Sequence, residues 1–146
     1  MRPAQLILSL ATVLALTVSA AAVVSAAGGR PYTVPMMGAQ EAPGPGDADG
    51  TGTAWLRVNP GQAEVCYVLD VEDIATATAA HIHRAPAGSP GGVVVGLTAP
   101  SSGSSAGCAA VSRELALELI RTPEAFYVNV HNAEFPGGAV RGQLSK

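Results

Sequence analysis

The chain contains three histidines, and all three fall in two short segments. The first is Ala79-Ala80-His81-Ile82-His83-Arg84; the second is Phe126-Tyr127-Val128-Asn129-Val130-His131. Side chains in an extended strand alternate between faces, so His81 and His83 point one way and Ile82 the other. The same period gathers Tyr127, Asn129 and His131 opposite Phe126, Val128 and Val130. A third segment, 139–144, sets Arg141 and Gln143 against Val140, Gly142 and Leu144. If the two histidine-bearing faces meet, three imidazoles converge. Three neutral imidazoles with an open position suit Zn²⁺ or Cu²⁺, and the affinity order for nitrogen ligands favours copper. The same residues fit a second arrangement without an ion. There Tyr127, Asn129 and Arg141 satisfy the imidazoles by hydrogen bonds and pin strand register.

Other polar residues offer less. Glu41 is either a partner for Arg141 or a histidine, or a solvated carboxylate before the Pro/Gly loop Pro43-Gly44-Pro45-Gly46. Asp70, Glu72 and Asp73 form an acidic cluster after a strand, too few and too irregular for a calcium loop. Met36-Met37 could offer sulfur to Cu(I), but strand packing accounts for them better. Ser101–Ser105 reads as a flexible connector without the Gly-x-Ser-x-Gly elbow of a serine nucleophile.

The elements that must position these residues are strands. Thr53–Val58 and Ala63–Leu69 alternate apolar and polar around the turn Asn59-Pro60-Gly61-Gln62, a hairpin pattern. Further strands are expected at 32–38, 79–84, 92–97, 107–111, 126–131 and 139–144. One helix is expected over Arg113–Arg121, with Ser112 as its N-cap and Leu115, Ala116, Leu119 and Ile120 on one face, serving as a lid. The expected fold is all-β: an antiparallel, Greek-key-like sandwich or barrel of about eight short strands with one short helix.

The chain of 146 residues is long enough for one domain. Met1-Arg2-Pro3 followed by the uncharged run Leu6–Val24 reads as a signal peptide, in preference to an uncleaved anchor. Cleavage is expected after Ala26, with Ala20 as the alternative. Residues 27–31 are then a linker and 32–146 the β domain. The expected location is secreted or extracytoplasmic, with no membrane association after cleavage. Cys66 and Cys108 read as a disulfide in such a compartment rather than as metal ligands, closing a loop of about 42 residues. The chain-entropy model gives that loop roughly 4 kcal/mol of stabilisation. With 8 Lys+Arg against 11 Asp+Glu, and Lys146 the only lysine, no basic stripe exists to bind nucleic acid. Aromatic content of 4% is too low for a base-stacking platform.

Five segments, in order and spacing, resemble the CHRD domain, named for repeats in the extracellular protein chordin. They are Gly38-Ala39-Gln40-Glu41-Ala42-Pro43, Ala80-His81-Ile82-His83, Gly91-Gly92-Val93-Val94, Tyr127-Val128-Asn129-Val130-His131 and Gly138-Ala139-Val140-Arg141-Gly142-Gln143-Leu144. The resemblance spans about 33–144. It implies an extracellular, mostly β module without established enzymatic activity. The family usually carries Glu where this chain has Ala139, which implies a looser hold on Arg141 if that carboxylate orients it. The expected function is a non-catalytic binding module with a polar site of His81, His83, Tyr127, Asn129, His131 and Arg141. Its ligand is copper or zinc, a small anion at Arg141, or an extracellular protein partner. The His-x-His strand is also similar to that of copper/zinc superoxide dismutases, so a copper redox enzyme is the alternative. A purely structural or adhesive domain is the third.

Overall fold

The computed structural model describes residues 28–146. The signal peptide expected at 1–26 lies outside them. Eight strands follow in chain order: β1 (Arg30–Met37), β2 (Thr51–Asn59), β3 (Glu64–Glu72), β4 (Ala77–Arg84), β5 (Gly92–Leu97), β6 (Ser104–Ala110), β7 (Phe126–Asn132) and β8 (Val140–Gln143). The helix α1 (Arg113–Arg121) lies between β6 and β7. Every strand pairing is antiparallel, in the order β5-β4-β7-β8-β1-β2-β3-β6.

The sheet curls until its two edges approach one another. Tyr67 on β3 stitches that seam. Its hydroxyl accepts from the Thr98 amide at 2.8 Å and donates to Thr98 Oγ1 at 3.0 Å, just past β5. Ser105 on β6 donates to the Thr98 carbonyl at 2.7 Å. Around the nearly closed barrel, β4, β5 and β6 are consecutive and β3 returns to lie beside β6, a Greek-key path.

Alternation explains the core. Tyr32, Val34 and Met36 of β1, Ala54, Leu56 and Val58 of β2, and Val65, Tyr67, Leu69 and Val71 of β3 point inward. Ala77, Ala80 and Ile82 of β4, Val95 of β5, Phe126, Val128 and Val130 of β7, and Val140 of β8 complete the inner layer, with Leu144 beyond β8. The β2–β3 hairpin turns where expected, because Asn59 Oδ1 accepts from the amides of Gly61 and Gln62. Ser112 caps α1 by accepting from the Leu115 amide at 3.0 Å. Ala116 and Leu119 join the barrel core, and Tyr32 donates to the Leu119 carbonyl at 3.0 Å. The helix is the expected lid.

Three expectations are corrected at element ends. Arg30 and Pro31, read as linker, begin β1 opposite Val58 and Arg57. Ser104 and Ser105, read as connector, belong to β6, because ladder pairing with Asp70 and Leu69 outweighs weak strand propensity. Asp70 and Glu72, read as following a strand, lie within β3 and pair with Thr53 and Thr51. Cys66 and Cys108 are bonded as a disulfide between directly opposite positions of β3 and β6. Among the described residues, no helix is long and apolar enough to cross a membrane.

Candidate metal centre

On β4, β7 and β8 the outer face carries a second layer, made of polar side chains. The ladder sets His83 opposite Tyr127, His81 opposite Asn129, and Asn129 opposite Arg141. Loops fold over this face, so outward-pointing residues are buried: His83 is 8% exposed and Asn129 and Arg141 1% each. His81 and His131 are partly buried.

The three imidazoles meet. Ring centroids of His81 lie 5.4 Å from His83 and 5.0 Å from His131, and those of His83 and His131 are 6.0 Å apart. One ring nitrogen from each lies within 4.8 Å of the other two. A metal–nitrogen distance of about 2.0–2.1 Å spaces ligand nitrogens at most about 4.2 Å apart, so small side-chain shifts suffice to close the set.

Carbonyl partners fix the tautomers. His83 Nδ1 lies 2.8 Å from the Gly91 carbonyl, and His131 Nδ1 lies 3.0 Å from the Pro136 carbonyl. A carbonyl only accepts, so both Nδ1 atoms carry protons and both Nε2 atoms present lone pairs in the neutral rings. His131 Nε2 receives His81 Nδ1 at 3.1 Å. His83 Nε2 is buried with no hydrogen-bond partner. Burial lowers the pKa of His81, and His131 and His83 lower it further. Burial also lowers that of His131, against the raising effect of the Pro136 carbonyl. Neutral, unprotonated nitrogens are the form a metal ligand requires.

Tyr127 and Arg141 brace this cluster. The Tyr127 ring stacks on His83, with centroids 4.8 Å apart and planes 8° from parallel. From β8 the Arg141 guanidinium carbon sits 3.4 Å from the centre of the same ring. The Tyr127 hydroxyl accepts from the Gly91 amide at 3.1 Å. Arg141 donates to the Ser89 carbonyl at 2.9 Å and to Pro86 O and Gln143 Oε1 at 3.0 Å each. The expectation that Arg141 is loosely held for want of a carboxylate at 139 is therefore replaced: backbone carbonyls of the 85–91 loop and Gln143 hold it. Buried and so engaged, Arg141 does not present a face to a small anion.

Glu41 is a half-buried carboxylate with Oε1 enclosed, and it is not an ion-pair partner within 4 Å of Arg141. It lies under the loop that follows the 3-10 turn Gly38–Gln40, where a Cβ at Gly138 would overlap its carboxyl group. Burial raises its pKa to about 7, against the lowering effects of Arg141, Asn129 and the Ala42 amide. Glu41 Oε1 and Asn129 Oδ1 are both buried without partners.

The residues that the sequence left out are the holders. Gly91 and Pro136 act through carbonyl oxygens, for which residue type carries no signal. Gln143 Nε2 lies 2.7–3.0 Å from the carbonyls of Ala85, Glu124 and Phe126, which share its two N–H groups. Its place on the Arg141 face was the one available clue.

Fold and site together define a small antiparallel Greek-key barrel that carries a loop-covered histidine cluster on its outer face. The family model for the CHRD domain matches residues 32–144, and the chain belongs to that family. No curated protein and no solved structure compared with the chain matches it.

Proposed function

We propose that this chain is an exported, non-catalytic binding module that holds a transition-metal ion, copper or zinc, through His81, His83 and His131. Membership of the CHRD family supports a binding module. The observation that carries the metal reading is His83 Nε2: buried, unpartnered, and left as a lone pair by the bond from Nδ1 to Gly91 O. A buried polar atom without a partner costs about 1–3 kcal/mol, and an electron-pair acceptor at that point offsets it. His83 and His131 would hold the ion through Nε2, and His81 through Nδ1 once its proton sits on Nε2 instead. Nitrogen donors favour Cu(II) over Zn(II).

The test is metal analysis of tag-free protein, loaded with Cu(II) or Zn(II) and dialysed. One equivalent per chain is expected, falling to none in His81→Ala and His131→Ala. Full retention in both variants overturns the assignment. A copper redox activity is the second reading, favoured by the partial exposure of His81 and His131, through which a small solute would reach the site. Superoxide turnover by the copper-loaded protein would establish it.

A further inference from the structure

A second group of potential ligands lies away from the histidines. Glu64, Cys66 and Cys108 bring a carboxylate oxygen and two sulfurs within 4.8 Å of one another. Glu64 and Cys66 are two residues apart on β3, so they share the outer face. Cys108 is their neighbour on the edge strand β6, and it is exposed. The sulfurs open onto a groove of about 480 Å³ lined by Trp55, Arg57, Val68 and Ala106 among others. Oxidised, the two sulfurs are bonded to each other and ligate nothing.

We propose that Cys66, Cys108 and Glu64 form a redox-gated site for a thiophilic divalent cation such as Zn²⁺, closed as the disulfide and open as the dithiol. The argument rests on the ladder. Cys66 and Cys108 are register partners inside the continuous pairing of Glu64–Asp70 with Ser104–Ala110. Breaking the S–S bond therefore leaves backbone hydrogen bonds on both sides of the pair, and the thiols stay adjacent. A preformed pair binds without the ordering cost that separate cysteines carry. Arg57 is the register partner of Cys66 on β2 and lines the same groove. Two thiolates and a carboxylate beside one guanidinium match the charge of a divalent ion.

The site is open before the disulfide forms and again when an external dithiol reduces it. In that step a thiolate of the dithiol attacks one sulfur and the other leaves as thiolate. The dithiol's second thiol then displaces the mixed disulfide. Both cysteines end reduced, the dithiol ends as its own disulfide, and the thiols release their protons when the ion binds.

The full chain, reduced with a phosphine under argon, is titrated with Cd²⁺ while sulfur-to-cadmium charge-transfer absorption and far-ultraviolet circular dichroism are recorded. The histidine centre does not contribute to that absorption, so the outcome is independent of the function proposed above. One equivalent is expected to produce the band in the reduced chain and none in the oxidised chain. Cys108→Ser is expected to abolish it, and Glu64→Gln to weaken binding at least about tenfold, as for loss of one ligand. A reduced chain that keeps its β spectrum without the band overturns the proposal. So does loss of the β spectrum on reduction, because the ladder would then not hold the thiols. An unchanged affinity in Glu64→Gln removes the carboxylate and overturns the three-ligand site.

Discussion

Replacing Glu41 by Gln should stabilise the protein, and only at neutral to alkaline pH. Burial raises the Glu41 carboxyl from 4.5 to about 7. The folded state thus binds a proton over a range where the unfolded chain does not. Stability from this group is fully present below the unfolded value and is lost as pH rises through about 7. At about 1.4 kcal/mol per pKa unit, the shift corresponds to roughly 3 kcal/mol as an upper bound. The side chain is only partly buried, and solvent screening reduces this to roughly 1–2 kcal/mol. Gln mimics the protonated acid at every pH and supplies a donor beside the unpartnered Asn129 Oδ1. The measurement is the unfolding midpoint of metal-free protein, variant against wild type, at about pH 8 and about pH 4. The variant should melt roughly 4–8 °C higher at the alkaline pH and within about 1 °C at the acid one. The difference between the two proteins cancels the histidine titrations, which both share. A variant less stable at pH 8 would mean that attraction to Arg141 outweighs burial. A gain independent of pH would mean that Glu41 does not titrate in this range. Either result refutes the reasoning.

The histidines have the opposite sign. His81 and His131 are lowered by burial, so their contribution is complete above the usual histidine value of about 6.5 and is lost as pH falls through it. Metal-free protein should therefore lose stability on acidification relative to His81→Gln/His131→Gln, a difference in which the Glu41 titration cancels, as read by urea midpoints across pH. Arg141→Met leaves the carbonyls of Ser89 and Pro86 without donors and should cost about 3 kcal/mol, or roughly 10 °C of melting temperature. The same variant should weaken metal binding at least about tenfold in a competitive titration, because the freed loop carries the carbonyl that sets His83. Ser112→Ala removes the α1 cap and should cost about 1 kcal/mol with metal affinity unchanged.

The sequence carried the strands because their pattern is binary and local. Val65, Tyr67 and Leu69 alternate with Glu64, Cys66 and Val68, and the burial of β3 follows that alternation. The same period gathered the polar residues of each histidine segment onto one face of its own strand, and the β4–β7 ladder then set the two faces side by side. What did not follow was burial. β7 is apolar on one face and polar on the other, yet Tyr127 and Asn129 are as enclosed as Val128. Period cannot reveal this, because the covering comes from the loop at 85–91 and the segments around Glu41 and Pro136. Pro and Gly in those loops announce a turn without saying which face it shields. Arg141 shows the consequence. Read alone, it suggested an exposed anion site; under the loop it is a strut whose partners are backbone oxygens.

A polar layer built only for stability would leave no member unsatisfied. Arg141, Gln143 and Tyr127 meet that standard through Pro86, Ser89, Ala85 and Gly91. Glu41 Oε1, Asn129 Oδ1 and His83 Nε2 do not. The first two are neighbouring acceptors, and one proton on Glu41, whose pKa is pushed up to about 7, converts one of them into a donor. At His83 the Nδ1 proton is committed to the Gly91 carbonyl, and the ring lies 5.4 Å from that of His81 and 6.0 Å from that of His131. In the function proposed above, a metal ion would accept the Nε2 lone pair and serve the neighbouring imidazoles as well.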